Sequence, residues 1–257
     1  MQSELWKSEA NWFAEWFNCP AYHVLYGNRD RAEAEAFVQQ VSQAVCPPAP
    51  ADVLDLGCGS GRHVRSFEAL GYRAHGIDLS PSSIAEAQRH AAHPERFSVC
   101  DMREFATQLG FVDRFDVITS LFTSFGYFED WSDQILTLQQ IRSALRPGGT
   151  FVLDFLNAPH VAAHLVPFEL TERTAPDGST LAFEIHRRIH EGWIEKSIQY
   201  VDERGTEQHF VERVRALTAA DLEALLDEAD LKVRARFGDY RLGAHSEASN
   251  RCILVAS

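Results

Sequence analysis

The hydrophobic pattern of the chain changes character twice along its length. Over residues 31–45, apolar side chains recur every three or four positions, which predicts an amphipathic helix. Asp30 precedes this helix as a suitable N-cap, and the prolines within residues 46–50 predict a connector after it. The aromatic-rich residues 9–17 predict another helical segment, so residues 1–50 are expected to form a helical N-terminal region.

From residue 51 onward, short apolar runs alternate with amphipathic segments. The apolar runs predict five strands, at residues 52–56, 72–78, 96–101, 115–121 and 150–156. Helices are predicted between them at residues 62–70, 80–92 and 131–145. Ser80 is the expected N-cap of the second helix, and Pro147 to Gly149 are expected to end the third. Strands separated by helices indicate a parallel sheet with right-handed crossovers.

After residue 158 the hydrophobic period shortens toward two. The pattern predicts four strands separated by turn signals, at residues 168–173, 181–190, 193–202 and 209–217. Thr218 is the expected N-cap of a helix over residues 218–231, and apolar residues 232–240 and 251–257 predict two last strands. The middle part therefore indicates an antiparallel insertion after the fifth strand.

These elements predict one α/β domain with a Rossmann-like, seven-stranded, mostly parallel sheet and helices on both faces. The expected organisation is a helical segment over residues 1–50, a core over 51–158, an antiparallel β insertion over 159–217, and a C-terminal part over 218–257 that completes the sheet.

Composition narrows the class of protein. The chain has 257 residues, and its formal net charge of −13 disfavours broad affinity for nucleic acid. No run reaches the roughly eighteen apolar residues of a membrane span, and charges stand where a signal peptide needs an apolar block. Five scattered cysteines without CxxC spacing suit reduced thiols. We therefore expect a cytoplasmic protein that binds neither membrane nor nucleic acid.

The strongest chemical signal is a glycine-rich turn after the first strand. Gly57, Gly59 and Gly61 alternate with other residues between Asp55 and a helix that begins near Arg62. Glycines let the backbone approach a ligand closely, and the helix N-terminus offers free amides. This turn predicts a ligand site at the carboxyl edge of the sheet.

The spacing of the glycines separates the candidate ligands. A dinucleotide fingerprint would need a glycine where Arg62 stands, which weakens a nicotinamide oxidoreductase, and a Walker lysine is absent from the turn. The order Asp-x-Gly-x-Gly-x-Gly instead resembles the first motif of class I S-adenosylmethionine-dependent methyltransferases. Asp78 and Asp101 end the second and third strands, where the family places acids.

The resemblance implies S-adenosyl-L-methionine as cofactor and residues 51–158 as its binding core. In the family, an acid at the position of Asp78 accepts from the ribose hydroxyls, and one at the position of Asp101 lies beside the adenine amino group. The cofactor-binding residues implied in the core are Asp55, Gly57, Cys58, Gly59, Gly61, Arg62, His63, Asp78, Leu79, Asp101, Met102, Arg103 and Leu121.

A narrower resemblance rests on residues 22–31, 100–105, 120–128 and 237–241. These segments look like small-molecule methyltransferases of the sugar N-methyltransferase and glycine/sarcosine type. In that group an N-terminal aromatic-plus-arginine segment closes over the methionine end of the cofactor. The likeness makes the N-terminal segment a lid, with Tyr26 and Arg29 as cofactor residues and Tyr22 beside them; ordinary packing of these residues is the alternative.

Methyl transfer is an in-line displacement, so catalysis comes mainly from alignment and exclusion of water. An acceptor that carries a proton also needs a base. Tyr127 and Asp154 are the candidate catalytic residues, although Asp154 could equally be a buried acid at the strand end. The candidate substrate pocket comprises Tyr22, Phe122, Phe125, Tyr127, Asn157 and Tyr240. The phenylalanines could instead be core residues.

The histidine pairs at spacing four do not lie in an HExxH pattern, so no metal is predicted. We expect methyl transfer to a nitrogen or oxygen of a small-molecule substrate. Alternatives are a methyltransferase of RNA or protein, a nicotinamide oxidoreductase, and a binding module without catalysis. The edges of the insertion need protection, which makes a homodimer through the insertion a further hypothesis.

Overall fold

The computed structural model describes residues 4–7, 11–27, 31–175 and 177–257. The chain divides into two compact units, of which the smaller joins Met1–Arg29 to Val161–Ala216. The larger joins Asp30–His160 to Leu217–Ser257. The predicted N-cap, Asp30, and the predicted cofactor residue Arg29 lie outside the described residues.

The described elements follow the predicted order closely. The strands are β1 (Asp52–Leu56), β2 (Arg73–Asp78), β3 (Phe97–Val99), β4 (Phe115–Ser120), β5 (Leu145–Leu156), β6 (Phe168–Thr174), β7 (Thr180–His190), β8 (Trp193–Val201), β9 (Glu207–Arg215), β10 (Val233–Phe237) and β11 (Arg251–Ala256). The helices are α1 (Trp12–Trp16), α2 (Pro20–Tyr26), α3 (Arg31–Val45), α4 (Arg62–Ala69), α5 (Pro81–Arg89), α6 (Phe105–Gln108), α7 (Trp131–Ala144), α8 (Ala158–His164) and α9 (Ala219–Glu228).

The larger unit contains a seven-stranded sheet in the order β10-β11-β5-β4-β1-β2-β3. β11 is antiparallel to both of its neighbours, and the remaining pairs are parallel. All five residues of β1 are buried, as expected of a central strand covered on both faces. The predicted Rossmann-like, mostly parallel sheet is confirmed.

Helices cover this sheet on both faces. Helices α4 and α5 pack on β1, β2 and β3, with α3 against α4, around a core that includes Val53, Phe67 and Ile84. On the other face α7 packs on β5, and α6 and α9 pack against α7. Because crossover helices occupy both faces, ligand-binding groups are left to the strand ends.

Two predicted helix starts are confirmed in atomic detail. The Ser80 hydroxyl accepts from the Ser83 N–H at 3.2 Å, and Pro81 occupies the first position of α5. At α9, the Thr218 hydroxyl accepts from the Asp221 N–H, and the Asp221 carboxylate accepts from the Thr218 N–H. These reciprocal bonds form a capping box.

The structure differs from prediction at the start of β5. The strand begins at Leu145, directly after α7, and runs through the Pro147-Gly148-Gly149 segment that was predicted to separate helix from strand. Leu145 pairs with Phe115, and a register shift precedes the next pairs, which resume at Thr150. An irregular ladder accommodates the proline, because its ring leaves no N–H to donate.

Three short helices, α2, α6 and α8, were not predicted. They span seven, four and seven residues. A helical period is read from a window of about eleven residues or more, so segments of this length carry little signal.

The smaller unit contains a four-stranded antiparallel sheet in the order β6-β7-β8-β9. All four strands predicted for the insertion are confirmed. Trp16 of α1 packs its ring 4.6 Å from that of Phe210 in β9. Glu195, 3% exposed in β8, is paired with Arg188 at 2.6 Å and Arg213 at 3.0 Å. The insertion therefore has its own packed faces.

An ion-pair cluster ties together the amino ends of the central strands. The Asp52 carboxylate accepts from Arg73 Nε at 2.9 Å, from Arg73 Nη2 at 2.8 Å, and from Arg146 Nη2 at 3.0 Å. Arg146 also pairs with Asp116 at 2.6 Å. The hydrogen bonds from Arg73, with those from Arg146, lower the pKa of Asp52 to about 2.

Replacing Asp52 tests this cluster through its pH dependence. The lowered pKa means that the ion pairs stabilise the fold above the ordinary carboxyl pKa and cease to do so as pH falls toward 2. We expect Asp52→Asn to lower the free energy of unfolding at pH 7 by about 1–2 kcal/mol, reduced by solvent screening of the arginines. Urea denaturation should give a wild-type advantage at pH 7 that shrinks below pH 4. An advantage equal at both ends of this range would contradict the assignment.

Candidate functional site

The glycine-rich turn leaves β1 at the carboxyl edge of the large sheet. Gly57, Gly59 and Gly61 have φ values of +69°, +53° and +79°, which side-chain-bearing residues rarely adopt. A Cβ on Gly57 would lie 2.7 Å from Ser124 Cβ, and one on Gly61 would lie 2.7 Å from the Phe97 ring. A Cβ on Gly59 would meet no described atom within 4 Å. Two glycines therefore permit close packing, whereas Gly59 turns an open backbone face outward.

The acid at the end of β2 holds this turn in place. Asp78 Oδ2 accepts from the Gly59 N–H at 2.8 Å, and Oδ1 accepts from the Ser80 N–H at 2.8 Å. Burial raises the pKa of Asp78, although these backbone bonds oppose the shift. The carboxylate thus links the glycine turn to the start of α5.

A second acid, Asp55, lies beneath the turn with an imidazole beside it. Asp55 is 1% exposed, and its Oδ1 accepts from the Thr119 hydroxyl at 2.8 Å. His63 Nδ1 lies 3.4 Å from Asp55 Oδ2. Within the part of the chain that the structure describes, buried His63 Nε2 and Ser120 Oγ have no hydrogen-bond partner. Buried polar atoms left in this way indicate a place for a ligand.

Aromatic rings form a wall next to the turn. The Phe122 ring lies 5.2 Å from the His63 ring and stacks on Tyr240 at 5.1 Å. The Arg62 guanidinium lies 3.9 Å from the centre of the Phe122 ring. Tyr240 in turn packs against Phe37 of α3 at 4.5 Å. Arg62, His63, Phe122 and Tyr240, predicted separately, are therefore brought together.

The backbone that carries Phe122 is strained. Phe122 and Thr123 have φ values of +57° and +63°, and neither is a glycine. Such conformations cost about 1–3 kcal/mol per residue and persist where surrounding contacts enforce them.

Asp154 lies near the end of β5, and its side chain is fully buried. Its Oδ1 accepts from Arg251 Nε at 2.7 Å, and its Oδ2 accepts from the Phe122 N–H at 2.8 Å. Tyr240 adds a longer bond to Oδ2 at 3.3 Å, and burial and this carboxylate raise the pKa of Tyr240. These bonds favour the structural alternative for Asp154, and its role as a base stays a prediction. Tyr127 is half-buried and donates its hydroxyl to the Thr123 carbonyl.

The acid after β3 is paired within its own turn. Asp101 accepts from Arg103 Nη2 at 2.7 Å and from the Arg103 N–H at 2.8 Å. Arg103 also pairs with Asp133 at 2.6 Å and lies 4.6 Å over the Phe128 ring. Burial opposes ionisation of Asp101, but the bonds from Arg103 lower its pKa overall. Met102, which lies between Asp101 and Arg103 in the sequence, is half-buried. Leu79, which follows β2, is also half-buried.

Several predicted site residues direct their side chains into the protein. Cys58 is buried against Gly76, where a Cβ would lie 2.7 Å from its sulfur, and burial raises the pKa of its thiol. Leu121 belongs to a buried cluster with Phe37, so its backbone is the part left for a ligand. Phe125 is 1% exposed.

Asn157 is 2% exposed and donates its amide hydrogens to the carbonyls of Ser246, Glu247 and Ser249. These bonds fix the loop before β11. The pocket roles of Asn157 and Phe125 stay predictions, which their burial does not favour.

Tyr22 and Tyr26 belong to the smaller unit. The Tyr26 hydroxyl donates to Glu212 Oε1 at 2.7 Å and accepts from the Lys196 ammonium. The Tyr22 ring packs 4.9 Å from that of Tyr26 and 5.7 Å from that of Trp16. The lid role of these residues stays a prediction, and Arg29 lies outside the described residues.

Two negative findings concern the described ranges of the chain. These residues contain no group of three or more His, Cys, Asp and Glu side chains arranged to hold a metal ion. Their helices are all too short or too polar to cross a membrane.

Sequence reasoning missed Thr119 and Arg251, which bond the two buried acids. Thr119 carries a signal, because it is a polar residue in a buried strand and stands opposite Asp55 in the parallel register. Arg251 begins an apolar strand and faces Asp154 only because β11 returns antiparallel to β5.

Comparison with known proteins decides the family. A family model described as a methyltransferase domain matches residues 26–236 of the chain. The chain belongs to this methyltransferase family. S-adenosylmethionine is the methyl donor of the family, and the fit rests on the open face at Gly59 and the unpartnered His63 Nε2.

Two of the similar curated proteins are methyltransferases by name. A putative methyltransferase of Bacillus subtilis is 31% identical over 42% of this chain and 43% of its own length. A dTDP-3-amino-3,6-dideoxy-α-D-glucopyranose N,N-dimethyltransferase of Streptomyces fradiae is 26% identical over 64% of this chain and 60% of its own length. The chain thus spans about half the length of these relatives.

Among solved structures, an S-adenosylmethionine-dependent methyltransferase of Clostridium acetobutylicum superposes with a TM-score of 0.73. It has 16% identity and covers 96% of this chain and 98% of its own. At this level of sequence identity, the likeness shows only that the two chains share a fold.

Substituting alanine for Gly59 should weaken ligand binding in a way that its effect on stability does not explain. Gly59→Ala places a methyl group on the open backbone face, whereas Gly110→Ala, at a φ of +66° and with equally open surroundings, is remote from the turn. We expect both variants to lose about 1–2 kcal/mol of stability from backbone strain. Calorimetry should show a loss of S-adenosylhomocysteine affinity in Gly59→Ala alone. Equal affinities in the two variants would remove the turn from the site.

Proposed function

We propose that the chain transfers the sulfonium methyl group of S-adenosylmethionine to a nitrogen of a small molecule, by in-line displacement. The observation that carries the proposal is the pairing of an open, left-handed backbone face at Gly59 with buried polar atoms lacking protein partners at its base. The family match supplies the reaction class. A relative that is named for dimethylation of an amino sugar is consistent with nitrogen as the acceptor atom.

The residues of the candidate site would have two tasks, which are to hold the cofactor and to position the acceptor. Gly57, Gly59 and Gly61 would cradle the cofactor with their backbone, with Asp78 and Asp101 at the ends of the neighbouring strands. Bound S-adenosylmethionine supplies an electrophilic methyl group, so the protein has to align the acceptor and exclude water. The stacked rings of Phe122 and Tyr240 suit both tasks, since aromatic faces remove water and attract a cationic amine.

An amine acceptor limits what a base must do. A neutral amine attacks through its lone pair, and its extra proton can leave after transfer, so alignment suffices once the amine is deprotonated. Tyr127 stays the candidate for acceptor positioning, since it is half-buried close to the turn after β4. An oxygen acceptor is the second hypothesis, and it would require a stronger base.

Measurements of cofactor binding and of methyl transfer together test the proposed function. We expect the wild-type protein to bind S-adenosylhomocysteine in calorimetry and to add 14 mass units, about one methylene, per transfer to members of a panel of amino sugars and small amines. Asp78→Asn, which loses one carboxylate oxygen facing the turn, should weaken that binding by about tenfold or more.

Asp202→Asn is the matched control, because Asp202 also accepts backbone N–H bonds, from Arg204 and Thr206, in a hairpin of the insertion. It should leave affinity unchanged. A wild-type protein that does not bind S-adenosylhomocysteine would refute the function. Binding without turnover on amines, together with methylation of hydroxylated substrates, would refute the choice of nitrogen.

We further propose that the insertion pairs with a second copy through β6. This edge strand exposes Phe168 and Leu170 on one face, at 47% and 68%, with Val166 preceding them at 58%. In an antiparallel self-pair centred on Leu170, Leu170 of one copy would face Leu170 of the other. Apolar contact between the two copies then coincides with the pairing of their edge strands.

A charge on this face should dissociate the dimer. We expect sedimentation equilibrium to give a dimer for the wild type and a monomer for Leu170→Lys, because the lysine would be buried against its symmetry mate. Val201→Lys, an exposed apolar residue at the end of β8, is the control and should remain dimeric. A monomeric wild type at high concentration would refute the proposal.

A further inference from the structure

The turn after β4 adopts a conformation that its sequence does not favour. Phe122 and Thr123 are both left-handed, with φ values of +57° and +63°. Threonine is branched at Cβ, so this conformation is especially unfavourable for it. Some interaction outside the turn has to hold it.

Asp154 and Arg251 provide that interaction. Asp154 accepts from the Phe122 N–H through Oδ2 at 2.8 Å and from the Thr123 N–H through its backbone carbonyl at 3.0 Å. Arg251 donates Nε to Asp154 Oδ1 at 2.7 Å and Nη2 to the Thr123 hydroxyl at 2.9 Å. Both backbone N–H groups of the turn therefore depend on one residue, which the arginine fixes in place.

The turn reaches the glycine turn of the cofactor site on two sides. The Phe122 ring contacts Arg62 and His63 at the start of α4. Ser124 lies so close to Gly57 that a Cβ there would be 2.7 Å away. If the turn relaxed to ordinary φ values, the Phe122 ring and Ser124 would both leave these positions.

We propose that Asp154 and Arg251 form a clamp that keeps the Phe122–Thr123 turn left-handed and so pre-organises the wall of the cofactor site. This inference deepens the proposed function and rests on it for the identity of the ligand. Asp154 is then a positioning residue and not the base that its location at a strand end suggests. Both of its oxygens already accept hydrogen bonds, and neither needs to meet the substrate.

The clamp and a base differ in the kinetic constant they control. If loss of the clamp leaves the turn correctly folded in a tenth of the molecules, the apparent affinity for the cofactor falls about tenfold, while the bound state is unchanged. We expect Asp154→Asn to raise both the KM for S-adenosylmethionine and the Kd for S-adenosylhomocysteine by about tenfold, with kcat reduced less than threefold. Arg251→Lys, which keeps the charge but loses the two separate nitrogens that bond Asp154 and Thr123, should show the same split.

Relief of the strain should rescue the variant. Thr123→Gly removes the penalty for a positive φ, so the Asp154→Asn/Thr123→Gly protein should recover most of the lost affinity. Glu191→Gly is the matched control, since Glu191 is also left-handed, with a φ of +49°, in the turn between β7 and β8. It should add stability without restoring affinity to Asp154→Asn.

The outcomes separate the clamp from the function. A fall in kcat with unchanged KM in Asp154→Asn would make Asp154 a base and overturn the clamp, as would equal rescue by Thr123→Gly and Glu191→Gly. If the wild type binds no S-adenosylhomocysteine, the proposed function fails, and urea unfolding still judges the clamp. Asp154→Asn and Thr123→Gly should then be less than additive in stability, and additivity would overturn the clamp.

Discussion

Buried carboxylates are the constraint on which the carboxyl edge of the large sheet depends. A charge removed from water must be met by donors, or it is expensive to keep. Asp55 accepts from a threonine hydroxyl, Asp78 from two backbone N–H groups, and Asp154 from an arginine and a backbone N–H. Each acid therefore fixes a different piece of chain, and together they fix the turns that follow the strands.

This arrangement explains why backbone conformation matters at the candidate site, which is formed by turns. The acids hold backbone in unusual conformations, at Gly59 on one side and at Phe122 and Thr123 on the other. A backbone held in this way presents its amides and close-packed surfaces in fixed positions. Long side chains would have more conformational freedom. A reaction that needs alignment more than covalent help from the protein gains directly from such rigidity.

The sequence was sufficient for most of the fold because periods of two and 3.6 are local properties. Strand β1, helix α3 and the caps at Ser80 and Thr218 were each predicted from neighbouring residues. The glycine turn was likewise visible, because three alternating glycines are more than a simple change of chain direction requires. Arg251 was not visible as the partner of Asp154, since the two residues meet across 97 positions of sequence. Such a contact depends on the direction of β11, which no local pattern encodes.

The same distinction bears on the two roles considered for Asp154, a base and a structural acid. An acid at a strand end next to a cofactor motif has the position of a base, and its position is all that a sequence gives. A base must exchange its proton with the substrate, so it needs a lone pair that the protein leaves available. Asp154 accepts from Arg251 through one oxygen and from the Phe122 N–H through the other, and protonation would weaken these bonds, because a neutral acid is a poorer acceptor than a carboxylate. In the proposed clamp, the burial of Asp154 serves geometry, and the chemistry is left to the alignment that this geometry provides.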